Sequence, residues 1–276
     1  MTRKPQQLDD QLHAGNDKPP VLLVHGMWST DQTLHELRDA FADEGYEVQA
    51  LCLPYHLAKA DHTDASMAAL ARARIQDYVV YLVEQVSAQA RPPILVGHSM
   101  GGVLVQLVAA RVPCAQLVVL SSAAPAGING LGWSVIRTLG RNLVRFPLWD
   151  KVTEVGLENI RYGVANSQSA ELQQEIFEGC TYESGMATFQ LSVGLILRRR
   201  SPAHVEVERI RCPVLIIGGT ADRITPIRIQ RRIAERFGAQ ASLIEIPGCC
   251  HWTIGGKDFP HIRSAMFHWL ETLTVA

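Results

Sequence analysis

Apolar and polar positions along the chain alternate between two kinds of segment. Short, mostly apolar runs have the character of buried strands, whereas longer stretches carry apolar residues at helical spacing. The strand-like runs are residues 21–24, 46–53, 93–96, 117–120, 213–217 and 242–246. The helix-like stretches that follow them span about 31–42, 64–88, 99–110, 226–237 and 260–273. Because buried strands that alternate with helices form parallel sheets covered on both faces, the pattern predicts an α/β fold.

One long stretch, from about residue 128 to residue 201, breaks this alternation. It shows few strand signals and carries many bulky apolar side chains, namely Trp133, Ile136, Phe146, Trp149, Phe177, Met186 and Phe189. A solvated loop would not carry so many apolar residues, so they must be buried against something. We therefore predict a core formed by residues 1–126 and 206–276, with a helical cap inserted at residues 127–205.

Composition and charge fit a globular protein with a single large core. The 276 residues are 47% hydrophobic and 19% charged, and the formal net charge is −1, which argues against nucleic acid or an acidic membrane as partner. The polar N-terminus has no apolar centre of the kind found in secretory signals, and no apolar segment reaches membrane-spanning length. The six cysteines show no C-x-x-C and no zinc-binding spacing with histidine. We therefore expect a reduced, cytoplasmic protein without a metal site.

The candidate chemistry begins in the stretch ILVGHSMGGVL, residues 94–104, where an apolar run stops at Ser99, with a glycine two residues before it and another two residues after it. A serine held on a sharp strand-to-helix turn needs neighbours with almost no side chain, because its backbone is strained there. G-x-S-x-G alone occurs by chance in many proteins. The strand before it, the helix after it and the second glycine, Gly102, make a nucleophile elbow the better interpretation.

A serine nucleophile needs a histidine base, and that base needs an acid to orient it. Asp222 follows a buried strand in GGTADRITP, and His251 follows the last strand in PGCCHWT. Each has a plainer alternative: Asp222 as the N-cap of the helix that opens at Pro226, and His251 as a histidine with an ordinary structural role. Ser, Asp and His, each just past a different parallel strand, follow the chain order of the elbow fold. We therefore predict Ser99, Asp222 and His251 as catalytic residues.

An oxyanion hole would complete such a site, since fixed donors must meet the negative oxygen of a tetrahedral intermediate. The backbone N–H of Met100, at the start of the helix after Ser99, is one expected donor. The other is the N–H of Met27 in VHGMW, where Gly26 lets the backbone approach closely. We expect His25 to brace this loop through hydrogen bonds and not to act as the base.

The motifs HGMW, GHSMGG, GGTADRITP and GCCHW stand in the order typical of the α/β-hydrolase superfamily, and the chain resembles its members over nearly its whole length. The resemblance implies an eight-stranded sheet in the full form. Here the polar N-terminus leaves little room for the first two strands, so we expect a mostly parallel sheet of about six strands. The loop after HG also differs from the HGGG version of hormone-sensitive-lipase-like members.

The leading functional hypothesis is a serine hydrolase that cleaves a neutral or apolar carboxylic ester through an acyl-enzyme. We expect no cofactor, and a small ester-like molecule as the partner. Trp28 beside the site, with four aromatic residues of the cap, would bind it: Trp133, Phe146, Trp149 and Phe189. The same triad could instead cleave lactones, thioesters or C–C bonds, because fold does not choose among these reactions. A ligand-binding or receptor-like homologue with slow turnover is the alternative of another class.

Overall fold

The computed structural model describes residues 18–130, 137 and 147–274. Its strands, in chain order, are β1 (Val21–Val24), β2 (Val48–Leu51), β3 (Ile94–His98), β4 (Gln116–Leu120), β5 (Val152–Thr153), β6 (Glu183–Ser184), β7 (Val214–Gly219) and β8 (Ala241–Ile246). Six of them form one sheet in the order β2-β1-β3-β4-β7-β8, and every neighbouring pair is parallel. The prediction of a parallel sheet of about six strands is confirmed.

The helices lie between these strands, as the alternating pattern predicts. They are α1 (His35–Asp43), α2 (Asp64–Arg72), α3 (Ile75–Ser87), α4 (Met100–Ala109), α5 (Leu157–Asn159), α6 (Ala170–Glu178), α7 (Gly185–Ser192), α8 (Gly194–Leu197), α9 (Ile227–Phe237) and α10 (Phe259–Thr274). Short 3₁₀ segments span Asp31–Leu34, Lys59–Asp61, Leu148–Asp150, Arg198–Arg200, Val207–Arg209 and Gly238–Gln240, and a π-helical turn spans Ile160–Val164.

Helices cover both faces of the sheet and divide the core into two apolar clusters. Alternate side chains of each strand enter different clusters, as Leu22 and Leu23 of β1 do. One cluster contains apolar residues of α3, α4 and α9, and the other contains residues of α1 and α10. This two-sided burial explains why the central strands read as continuous apolar runs in the sequence. The α/β fold is therefore confirmed.

The single helix predicted for residues 64–88 is wrong, because the structure has two helices there, α2 and α3. The chain is extended at Ala73 and Arg74, and the Asp77 carboxylate caps α3 by accepting the Arg74 N–H at 2.8 Å. The Ser184 hydroxyl donates to the Ala73 carbonyl, which lies at the break. Contacts from a distant part of the chain thus stabilise a break that helical periodicity does not reveal.

Residues 127–205 lie between β4 and β7, and we call them the insertion. Within its described part, β5 and β6 form a small antiparallel sheet that is separate from the main sheet. The insertion is fastened to the core by a buried cluster centred on Glu183. Its carboxylate accepts a hydrogen bond from the Tyr78 hydroxyl at 3.0 Å and lies 3.0 Å from the His56 ring nitrogen Nε2.

Candidate active site

Ser99 is the single residue of the turn between β3 and α4. Its backbone has φ 57° and ψ −117°, a conformation that is strained for a residue with a side chain. Two glycines make this turn possible. A Cβ on Gly97 would lie 2.3 Å from the Gly101 carbonyl oxygen, and a Cβ on Gly101 would lie 2.3 Å from the Val24 carbonyl oxygen. The small residues of the motif are therefore required by close backbone packing.

Three residues predicted from separate strand ends meet in one hydrogen-bonded row. His251 Nε2 lies 3.0 Å from Ser99 Oγ, and His251 Nδ1 lies 2.8 Å from Asp222 Oδ2. All three residues are buried, with at most 8% of their surface exposed. Since an ionised carboxylate only accepts, Nδ1 carries the proton toward Asp222. In the neutral ring, Nε2 is then free to accept the proton of the Ser99 hydroxyl.

The surroundings of Asp222 keep its carboxyl group in the ionised form that this arrangement requires. Its Oδ1 accepts the backbone N–H groups of Ile224 and Thr225, each at 2.8 Å. Burial raises the pKa of Asp222, but the electrostatic interaction with His251 and the hydrogen bonds from His251 and Thr225 outweigh burial and lower the pKa below its ordinary value. Asp222 is therefore ionised at neutral pH. The alternative role as a helix cap does not apply, because Pro226 is the N-cap residue of α9 and makes no side-chain capping bond.

Two further residues support the row and were missed in the sequence. The Thr225 hydroxyl lies 2.8 Å from Asp222 Oδ2, 3.2 Å from His251 Nδ1 and 3.0 Å from the Ser121 carbonyl. His98 Nε2 lies 2.9 Å from the His251 carbonyl oxygen. Burial, followed by the nearby His251 ring, lowers the pKa of His98 to about 3, so His98 is neutral and donates from Nε2. No sequence pattern points to Thr225, whereas His98 directly precedes the serine.

His25 braces the loop after β1, as predicted. The Leu53 N–H donates to its Nε2 at 3.1 Å, which fixes the proton on Nδ1, and Nδ1 donates to the Gly26 carbonyl at 2.8 Å. Burial and the neighbouring His56 lower the pKa of His25 to about 3, so the ring is neutral.

The loop after β1 carries Met27, and Met100 is the first residue of α4, just after Ser99. Within the described residues, neither the Met27 nor the Met100 backbone N–H donates a hydrogen bond.

A cavity of about 150 Å³ opens in front of Ser99, between the strand ends and the insertion. Met27, Trp28, Ser99 and His251 lie on its core side. The insertion contributes mainly aliphatic side chains, namely Ile128, Val155, Ile160, Val164, Ile176 and Leu191. Among the described lining residues there is no Lys, Arg, Asp or Glu. The cavity is therefore suited to an uncharged ligand.

The aromatic residues predicted to bind substrate have different positions. Trp28 lines the cavity and donates from its indole nitrogen to the Thr153 hydroxyl at 3.0 Å. Trp149 and Phe189 instead pack edge to face, with ring centroids 5.3 Å apart, and are absent from the described cavity wall. Both rings are partly exposed and contact each other within the insertion. A role for them in binding substrate stays a prediction. Trp133 and Phe146 lie outside the described residues.

The described residues contain neither a cluster of metal ligands nor a membrane-spanning helix. No group of three or more His, Cys, Asp or Glu side chains there is arranged to hold a metal ion. No helix in the same part of the chain is both long enough and apolar enough to cross a membrane.

Comparisons with known proteins identify a protein family and several solved structures with the same fold. The model of an alpha/beta hydrolase family matches residues 21–261. A monoacylglycerol lipase crystal structure from Paleococcus ferrophilus aligns with TM-score 0.69 and 21% identity over 92% of this chain and 95% of the other. A pyrethroid hydrolase from Sphingobium faniae aligns with TM-score 0.65 and 16% identity over 94% and 99%. A polyneuridine aldehyde esterase aligns with TM-score 0.65 and 16% identity over 91% and 98%.

Proposed function

The chain belongs to the alpha/beta hydrolase family, and we propose that it is a serine hydrolase that cleaves neutral or apolar carboxylic esters through an acyl-enzyme. One observation carries the proposal. Ser99, His251 and Asp222 form a continuous hydrogen-bonded row at the end of a cavity whose described wall carries no Lys, Arg, Asp or Glu. The structural neighbours named as a lipase, a pyrethroid hydrolase and an esterase are in keeping with it.

The proposed reaction begins with Ser99 Oγ attacking the ester carbonyl while His251 Nε2 takes its proton. Asp222 stabilises the resulting imidazolium through Nδ1 and remains ionised. The N–H groups of Met27 and Met100 bind the negative oxygen of the tetrahedral intermediate. His251 then protonates the departing alcohol. Water, activated by the same ring, hydrolyses the acyl-enzyme and restores the Ser99 hydroxyl.

The cavity supports an uncharged substrate with a short acyl group. Burial of an unpaired substrate charge would cost several kcal/mol, and the described wall offers no charged partner. An apolar cavity of about 150 Å³ holds benzene in another protein, so we propose acyl groups of about four to six carbons. We also propose that the insertion acts as a cap that selects substrates, because the catalytic residues all lie outside it.

The proposal is tested by labelling and by turnover of nitrophenyl esters. A fluorophosphonate should form one adduct, on Ser99, and Ser99→Ala should abolish that adduct and lower turnover by several powers of ten. Ser29→Ala is the matched control, because Ser29 lines the same cavity and should leave the labelling intact. An adduct on another residue, or an active Ser99→Ala variant, would contradict the proposal.

A further inference from the structure

Two cysteines that lie far apart in the sequence are in contact at the N-terminal ends of β4 and β7, at the opposite end of these strands from Ser99. Cys114 and Cys212 have their Sγ atoms 3.2 Å apart, and both are free thiols. Each lies two residues before a strand, Cys114 before β4 and Cys212 before β7. Because these strands pair directly, with the Leu117 N–H bonded to the Pro213 carbonyl at 3.0 Å, the sheet itself brings the two sulfurs together.

The pair faces a second cavity that small molecules can enter. This surface cavity of about 450 Å³ is lined by both cysteines and by neighbouring residues that include Arg111, Arg209 and Arg211. Cys114 is partly exposed, and Cys212 is buried behind it. A different situation holds at Cys249 and Cys250, which are fully buried beside His251. Cys114 and Cys212 therefore combine contact between two thiols with access from solvent.

We propose that Cys114 and Cys212 are a modification site at which a hydroperoxide produces an intramolecular disulfide. In the first step, the Cys212 thiolate attacks one oxygen of the hydroperoxide, and an S–O bond forms as the O–O bond breaks. The leaving hydroxide or alkoxide takes up the proton that the Cys212 thiol released and departs as water or an alcohol. In the second step, Cys114 sulfur attacks the sulfenic acid sulfur, the S–S bond forms, and water leaves with the Cys114 proton. Two thiols lose two electrons, which reduce the hydroperoxide.

The hydrogen bond between the two thiols favours the first step. Donation from Cys114 lowers the pKa of Cys212, whereas the same bond, together with burial, raises the pKa of Cys114. Since the thiolate is the reactive form, Cys212 is the sulfur that attacks first. Cys114 then lies within contact distance to resolve the sulfenic acid before a second oxidation occurs.

The disulfide would connect the two strands at which the insertion leaves and rejoins the core. It would close a loop that contains all of residues 127–205 and would lie at the opposite end of the strands from Ser99. A cross-link over such a long loop restricts the unfolded chain more than the folded one. We therefore expect oxidation to raise the melting temperature and leave the catalytic groups in place.

The test uses the full-length protein treated with hydrogen peroxide and analysed by mass spectrometry. We expect a loss of about 2 Da, the mass of two hydrogen atoms, that dithiothreitol reverses. Trypsin should then release residues 112–137 joined to residues 212–223, and each of these peptides contains a single cysteine. The melting temperature should rise by at least about 4 °C on oxidation.

Control variants separate this site from the other cysteines and from the proposed catalysis. Cys114→Ser and Cys212→Ser should each abolish the mass loss and the melting shift, whereas Cys52→Ser should retain both. Ser99→Ala should also form the disulfide, because the pair does not depend on the catalytic serine. A disulfide to another cysteine, sulfinic acid at position 114 or 212, or no peroxide-dependent mass loss would overturn the proposal.

Discussion

At the scale of single residues, the Thr225 hydroxyl is the least expected part of the site. It contacts Asp222 and His251 together and also reaches the Ser121 carbonyl, so it connects the Asp222 carboxylate and the His251 ring to the end of β4. Asp222 keeps two backbone donors without it. The hydroxyl should therefore orient the row, and its loss should be much milder than loss of the acid.

Thr225→Val should lower kcat by about fivefold, because one buried hydrogen bond contributes about 1 kcal/mol. KM should change little, and Thr225→Ser should restore most of the rate. For comparison, Asp222→Asn should lower kcat by about 10⁴-fold. Steady-state kinetics on folded variants decide the matter. An unchanged kcat in Thr225→Val would show that the hydroxyl has no orienting role.

Gly101 is the residue at which the elbow tolerates least change. Gly101→Ala should lower the free energy of unfolding by at least about 2 kcal/mol, since the new Cβ would overlap the Val24 main chain in the centre of the sheet. Gly179→Ala is the control, because its Cβ would meet only ordinary contacts at 3.5 Å. Urea unfolding compares the two. Equal stability of both variants would contradict this account of the motif.

The sequence predicts individual site residues where a motif and a strand end coincide. Ser99, Asp222 and His251 each follow a β-rich apolar run, so topology alone places them at one edge of the sheet. Thr225 gives no such signal, because its role depends on a turn that folds back over Asp222. The two aromatic residues Trp149 and Phe189 were predicted to line the pocket from their size alone, and size does not distinguish a cavity wall from two partly exposed rings that pack on each other.

At the scale of elements, the contact between β6 and the chain after β2 determines how the insertion is held. The His56 ring nitrogen Nδ1 lies 3.1 Å from the Pro54 carbonyl oxygen, and its Nε2 lies 3.0 Å from Glu183 Oε2. Both partners are acceptors, which requires a proton on each ring nitrogen. Burial lowers the pKa of His56, but Glu183 and the carbonyls of Pro54 and Leu53 outweigh burial and raise the pKa above its ordinary value of 6.5. The His25 and Tyr78 rings pack against the same imidazole.

His56→Gln should lower the free energy of unfolding by about 3–5 kcal/mol at pH 6, because it leaves the Glu183 charge buried without its partner. The folded protein binds the His56 proton more tightly than the unfolded chain does. The stabilisation is therefore complete below pH 6.5 and is lost as pH rises through the higher folded pKa. Urea titrations from pH 6 to pH 9 should show the wild type losing stability toward the variant.

His35→Gln serves as the control for this pH effect, because His35 lies on the surface at the start of α1. It should leave the pH profile of the wild type unchanged. If His56→Gln retains the wild-type slope between pH 6 and pH 9, the protonated pair is not the source of the stability.

The helix break at Ala73 belongs to the same contact region, and its origin in the distant Ser184 explains why periodicity alone predicted one helix.

At the scale of the whole molecule, the cavity between the core and the insertion should set the preferred acyl length. Leu191→Ala widens the described wall, so it should shift the ratio of kcat/KM for eight-carbon over four-carbon esters by about tenfold or more. Leu197→Ala is the matched control on the same segment, because Leu197 is exposed and lies outside the described wall. If the folded Leu191→Ala variant keeps the wild-type ratio of kcat/KM values, the insertion does not select substrates by acyl length.

The overall architecture could be predicted because each central strand is buried on both faces and therefore stands out as an apolar run. The number of strands and their parallel direction follow from that pattern once the family resemblance is added, whereas the order β2-β1-β3-β4-β7-β8 comes from the structure. The internal packing of the insertion could not be predicted in the same way. Its short helices and two-residue strands are stabilised by contacts such as Glu183 with His56, which join residues more than one hundred positions apart.

The sheet order also has a consequence for synthesis on the ribosome. Strand β4 lies in the middle of the sheet, yet its partner β7 is translated roughly 90 residues later, after the insertion. At about 5–20 residues per second, a nascent chain would expose one edge of β4 for about 5–20 s. Its last four residues, Leu117–Leu120, are wholly apolar and fully buried in the finished protein, which makes that waiting edge prone to aggregation. Chains that stall within the insertion should therefore be chaperone clients, whereas completed chains should not.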